Sequence, residues 1–598
     1  MRRALLALGL ALGLAAGCSA CGGGEPLPTT APESARPGGP AYFDPQQVAP
    51  PPIGASGEAS GEATLPPWVV TDDDDEWVRK TFVLQPSYTR AFLVGAGPAL
   101  SEIEVPKPSL SGRAKAAAWK EKVKVAGTFA TIGEALGAAK GGDLVAVRPG
   151  RYPGFVVTSD SSMKDGAYVV VLALGAPGEV VIDRAAAANP SWMIHVKAGH
   201  HLIIDGIALR GSGDGKGPRA GIMVDGDFRN TGKLAHHVAV QNVWSDGHRK
   251  WGIHATDSRT VLVQDSYFTR SFEEHGVYVS DGSDDWTIRR NVFFSNNAGG
   301  LQINLDPLAS FDEATEHPAF AGHARNDGTR AWAEKTLVRG DELFGANGWP
   351  DGRGYNFHVS SNVMNENGRI GGGAINLAGV SESLFENNLV YGNKAGGIAL
   401  WDNANPYDDA AVDNPPRTAE EARSPARIPL FGCRNDRIRN NTVIMQGRRA
   451  ALQCRNGSTG CALWNNLAVN GIGPALEVFG TSMPGLDVRG NVLGRVEYEA
   501  STPELLAVVK SAPGAAGGAA GRKDVELQAA LGELTAPSWN PWLRLDGAWP
   551  AKVPDPPDFH PKAGGLLASG GDASAQAPKD FEGRPRTGKP AIGALLPK

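Results

Sequence analysis

The chain is expected to form an all-β, single-stranded right-handed parallel β-helix solenoid over residues 127–499, with an N-terminal capping helix. Three observations predict it. A short apolar-x-apolar unit returns about every two dozen residues, a second strand series closes on Asn or Asp, and a helix-capping motif precedes the first coil.

The first series, usually opened by glycine, reads Gly221-Ile222-Met223-Val224, Gly252-Ile253-His254-Ala255, Gly276-Val277-Tyr278-Val279, Gly300-Leu301-Gln302-Ile303 and Gly397-Ile398-Ala399-Leu400, then Ala451-Leu452-Gln453-Cys454 and Ala475-Leu476-Glu477-Val478. Period-two alternation turns Val277 and Val279 inward and Tyr278 outward. The trailing series includes Val238 to Asn242, Val261 to Asp265, Trp286 to Asn291, Ser383 to Asn388 and Ile438 to Asn441, with later members ending at Asn466 and Asn491. A side-chain amide at such a corner can bond the turn backbone and its equivalents in neighbouring coils. One coil cannot bury its own apolar side, so stacking must build the core. A propeller blade needs about 40 residues and a leucine-rich repeat needs its Leu consensus; neither pattern is present.

Thr131-Ile132-Gly133-Glu134 is a capping box, and the helix it opens turns Leu136 and Ala139 toward the first coil before Gly141-Gly142 ends it. Such a helix covers an open sheet edge. Residues Thr131 to Tyr152, together with the generic coil, resemble the opening of the right-handed parallel β-helix (pectate-lyase-like) superfamily. Lys579 to Pro585 followed by Ala591 to Ala594 resembles the closing segment of many bacterial members. Residues 500–598 are therefore expected to form a C-terminal cap, and 68–126 to pack on the N-terminal one.

Residues 1–18 have a basic start, Arg2-Arg3, and a short Ala/Leu/Gly stretch, too short for a permanent span of about 20 residues. Leu14 to Cys18 resembles a bacterial lipobox, which implies lipidation at Cys18 and a lipid anchor in a membrane, at the outer membrane or cell surface. Residues 19–67 are rich in Gly, Pro, Ser and Ala, a composition that cannot bury a core and reads as a tether. The formal net charge of -6 and the lack of a basic block argue against a nucleic-acid partner. A monomer is expected. Cys454 and Cys461 flank a turn-forming loop and are the expected disulfide, with Cys433 one coil earlier near the same level.

Insertions at about 306–354 and 402–430 leave from the ends of the same strand series, so both should rise on one side, where binding sites gather. His254, Tyr278 and Gln302 share one outward offset in successive coils, which strand spacing places about 4.8 Å apart. Lys250, His275, Asn304 and Asp306 lie beside them, and Asp257 and Asp281 share a second offset where turns favour Asp. Such a row of imidazole, phenol and amide groups suits a saccharide. Glu273-Glu274 reads as a solvated corner and His236-His237 as a surface pair.

Two functions stay open. One is a surface-anchored protein that binds a polysaccharide or envelope partner. The other, which the superfamily resemblance implies, is an enzyme such as a lyase on a uronate polymer. There Lys250 or His254 would be the base and Tyr278 the acid, with Gln302, Asn304 and His275 binding substrate. Asp281 and Asp306 would offer hard oxygen ligands to Ca²⁺. The tight Asp clusters of pectate lyases and polygalacturonases are absent from the sequence.

Overall fold

A computed structural model describes residues 87–106, 120–159, 167–306, 331, 353–402, 430–499, 523–536 and 557–598, apart from 188, 228–230, 456, 480–481, 483–484 and 525–526. The expected signal segment, tether and Cys18, and nearly all of both insertions, lie outside the described residues.

The chain is a parallel β-helix. Three sheets of fourteen, twelve and eleven strands run its length, and successive strands visit the first, second and third sheet in turn. Within the coils every pairing is parallel, for example Val261 on Trp286, Tyr267 on Val292 and His254 on Tyr278. A parallel crossover of this kind is right-handed. Alternation sends Ile253, Ala255, Val277, Val279, Leu301 and Ile303 into one interior cluster that runs the length of the solenoid.

The capping box forms as the sequence predicts. Helix α1, Ile132–Ala138, accepts its Glu134 N–H on the Thr131 hydroxyl, and Glu134 reaches back to the Thr131 N–H. Ile132, Ala135 and Leu136 are buried against the first coil, as is the C-cap residue Ala139. Ahead of the helix, strand Ala91–Val94 slips into the first sheet between Leu144–Val147 and the long strand Lys120–Phe129.

Asparagine ladders hold the corners. Along the row Asn291, Asn362, Asn388, Asn441, Asn466 and Asn491, each of the first five donates its side-chain amide to the next Oδ1 at 3.0–3.1 Å, and a second ladder joins Asn296, Asn367 and Asn393. Residues just ahead of the first ladder, including Asn387, Asn440 and Asn465, take a left-handed backbone that Asn tolerates well.

Lys523–Asp524 adds one short parallel strand beyond Val492–Leu493 at the end of the second sheet, but residues 557–598 lie elsewhere. Phe559, Leu567, Phe581, Ile592 and Leu595 pack along the outer face of the second sheet against Tyr391, Ile444, Leu467 and Val492. Asn387, Asn440 and Asn465 fasten this segment through Lys579, Ala577, Ala591 and Asp572. Outward apolar residues such as Tyr391 and Ile444 on the second sheet call for such a cover.

Among the described residues no disulfide forms: Cys433, Cys454 and Cys461 are buried free thiols. Leu452 and Cys454 alternate inward, Cys454 between Leu400 and Val478, so Cys454 fills the core as a small apolar side chain. Cys461 sits in the same interior, and burial pushes its thiol up.

Candidate functional site

Both insertions depart after third-sheet strands, Leu301–Asn304 and Gly396–Trp401, and return to the first sheet at His358–Ser360 and Arg437–Arg439. Their points of departure and return therefore share one corner. Arg353, fully buried, ties their returning ends together through the carbonyls of Leu430 and Gly432.

Beside that corner, the outer face of the third sheet carries the column His195, Met223, His254, Tyr278, Gln302, Asn376, paired coil on coil. His254, Tyr278 and Gln302 are adjacent, as their spacing predicts. The His254 ring stacks on Trp251 at 4.1 Å and on Tyr278 at 5.3 Å, and Trp192 extends the row at 6.1 Å from His254. Trp251 is buried beneath, while Trp192, His254 and Tyr278 are half-buried and keep an outer edge. Between the two tryptophans the sheet has Ala220. That small residue leaves room for the Arg219 guanidinium, which lies 5.5 Å over Trp192 and 5.3 Å over Trp251.

The other expected residues divide by role. Lys250 Nζ lies 2.6 Å from Glu274 Oε1, and Trp251 Nε1 donates to the other carboxylate oxygen at 2.8 Å. Glu274 is thus a buried anchor and not the solvated corner the sequence suggests, and Lys250 is committed to it. His254 is held down to about 3, chiefly by burial, and its buried Nδ1 has no hydrogen-bond partner. It is a neutral imidazole at physiological pH. His275 is buried under Tyr278, 5.6 Å between ring centres, and burial holds it down to about 4. Asn304 Nδ2 donates to the Tyr278 hydroxyl at 3.1 Å, and Asn376 Nδ2 donates to Gln302 Oε1 at 2.7 Å. Gln302 is buried, so it orients its neighbours more than it meets a ligand.

Asp281 and Asp306 meet at the corner where the first insertion leaves. Asp281 Oδ1 accepts the Asp306 N–H and Oδ2 accepts the Ser280 hydroxyl, both at 3.3 Å. Asp257 and Asp281 both have a left-handed backbone, and the Asp257 N–H bonds the Asp281 carbonyl at 2.7 Å. These aspartates shape the corner, and no group of three close metal-ligand atoms among the described residues includes them.

Trp192, Arg219, Trp251 and the His195–Asp225 pair, Nε2 to Oδ1 2.7 Å, are the site residues the sequence reading missed. A signal was present. Trp192-Met193-Ile194-His195 and Trp251-Gly252-Ile253-His254 repeat one Trp-x-x-His pattern two coils apart.

No family model and no curated protein matches the chain. Solved structures do. Pectate lyase Pel9A shares 12% identity at a TM-score of 0.40, over 86% of this chain and 98% of that one. The PL6 family alginate lyase AlyGC shares 14% at 0.34, over 67% of this chain and 52% of that one. The A-module of the Azotobacter vinelandii mannuronan C-5 epimerase AlgE4 shares 13% at 0.28, over 62% and 92%. At these identities and scores no activity is carried over. The chain is a parallel β-helix protein with an aromatic, arginine-topped face.

Proposed function

We propose that the outer face of the third sheet takes an extended polysaccharide containing uronate residues. The observation that carries it is Arg219 lying over Trp192 and Trp251, in line with His254 and Tyr278. Flat rings cover the C–H faces of successive sugars, and the guanidinium, which makes no ion pair among the described residues, matches a carboxylate in fork geometry. The protein is proposed to act as a monomer on the outer membrane or cell surface, held through Cys18. In the described residues no helix is long and apolar enough to cross a membrane.

A second reading, cleavage by β-elimination, is favoured by the His254 imidazole standing against the Tyr278 ring. His254 would take the proton from C5 of the uronate, the C4–O bond would break as the C4=C5 double bond forms, and the Tyr278 hydroxyl would protonate the departing oxygen. Arg219 would hold the carboxylate and stabilise the charge that develops on it. Lys250 is not the base in this scheme because it is paired with Glu274. No step passes through Ca²⁺.

Titration calorimetry with polygalacturonate and alginate oligomers tests binding, and the ultraviolet absorbance of unsaturated product tests elimination. Binding that Arg219→Ala abolishes, with product that Tyr278→Phe abolishes, supports the enzyme. Binding without product leaves a binding protein. No binding to any uronate polymer overturns the proposal.

A further inference from the structure

On a different flank, at the entry to the first sheet, four histidines meet. His200 and His236 are register partners on adjacent coils and stack at 4.9 Å; His201 and His237 stack beside them at 4.7 Å. Within each pair the Nδ1 atoms approach to 2.9 Å, His200 to His201 and His236 to His237.

The backbone explains why four rings share one face. Leu202 and Ile204 point inward, as do Val238 and Val240, so strict alternation would turn His200 and His236 inward too. His201 and His237 instead take a left-handed backbone, and the sheet register skips both. Each left-handed residue interrupts the pleat and turns its predecessor outward, and the register stays in step because both coils carry it at the same position. His200, His236 and His237 remain half-buried, so the cluster keeps access to solvent.

We propose that His201, His236 and His237, with His200 as a further donor, form a binding site for one borderline divalent transition-metal ion of the Zn²⁺, Ni²⁺ or Cu²⁺ kind. One nitrogen from each of the first three lies within 4.8 Å of the others. A point equidistant from three atoms at that spacing is at most about 2.8 Å from each, against the roughly 2.0–2.1 Å of a zinc–imidazole bond. Each ring therefore needs to move by about 0.7 Å or less, within the range of small side-chain rotations. The donor set is all imidazole, which selects these ions over Ca²⁺ or Mg²⁺. The neighbouring charges are Arg259, in register above His236 and paired with Asp284 at 3.9 Å, and Asp285, which faces His237. Because the ligands come from two coils, the ion would staple those coils together.

The test uses untagged protein, since a polyhistidine tag would bind the same ions. Titration calorimetry with Zn²⁺ is expected to show one tight site per chain, with binding weakened at least 100-fold in His236→Ala/His237→Ala and unchanged in His358→Ala. Equal Zn²⁺ affinity in wild type and the double variant overturns the site, as does no binding at all. A measurement on the wild type alone guards against a variant that fails to fold. Nitrogen superhyperfine structure from three or more imidazoles in the electron paramagnetic resonance of the Cu²⁺ form supports the site, and two or fewer overturns it.

Discussion

Replacing Asn388 with Ala removes the middle rung of the longer ladder. Asn388 Oδ1 accepts both the backbone N–H and the side-chain amide of Asn362, each at 3.0 Å, and its Nδ2 donates to Asn441 Oδ1 and to the Val359 carbonyl, each at 3.0 Å. All of these groups are buried. The Asn362 amide keeps its second bond to the Ile288 carbonyl, and Asn441 Oδ1 keeps the Asn388 N–H. The substitution thus orphans two donors and deprives one carbonyl, and a buried unsatisfied group costs about 1–3 kcal/mol. The expected loss is about 4 kcal/mol in urea unfolding followed by circular dichroism. The exposed Arg437→Ala should change stability by no more than about 0.5 kcal/mol. Asn388→Asp keeps both acceptors but sets a buried carboxylate against two oxygens, so its stability should recover partly as pH falls and protonation restores a donor. A loss below about 1 kcal/mol for Asn388→Ala would refute the ladder as a stabilising element.

Further outcomes follow from the same geometry. His248 and His275 are held down to about 4 and His254 to about 3, chiefly by burial. The unfolded chain takes up these protons from about pH 6.5 downward. Their stabilisation is therefore complete above that pH and drains as pH falls toward 4 to 3, on the order of 2 kcal/mol for each of His248 and His275 by pH 5. Melting temperature should fall between pH 7 and 5, and His248→Gln should flatten that fall; an unchanged slope would contradict it. Because Cys433, Cys454 and Cys461 are free, dithiothreitol should leave the melting temperature unchanged, and a drop would restore the disulfide. Trp192→Ala should weaken uronate-oligomer binding about tenfold, since it removes an outer stacking edge and one ring beneath Arg219, together worth about 1–1.5 kcal/mol.

The scaffold was legible because one physical pattern repeats. Gly276-Val277-Tyr278-Val279 and its kin reveal both the period and the inward face, and the recurring Asn marks the corner. The same arithmetic placed His254, Tyr278 and Gln302 side by side. What it missed arises where the pattern breaks. Arg219 matters because of a gap at Ala220, which one coil read alone does not reveal. Glu274 reads as a surface charge until Lys250 and the Trp251 indole close over it. His200 and His236 face outward because of left-handed neighbours, a backbone state that period-two reasoning does not contain. The cysteines mislead because a turn-flanking pair looks like a disulfide, whereas both thiols lie in the solenoid interior.

The measurement closest to the central claim is titration calorimetry of uronate oligomers against wild type, Arg219→Ala and Tyr278→Ala. The account predicts binding to wild type that falls at least tenfold in both variants while their melting temperatures hold. Equal affinity in all three proteins, or no affinity in any, would contradict the assignment of the third-sheet face as the polysaccharide site.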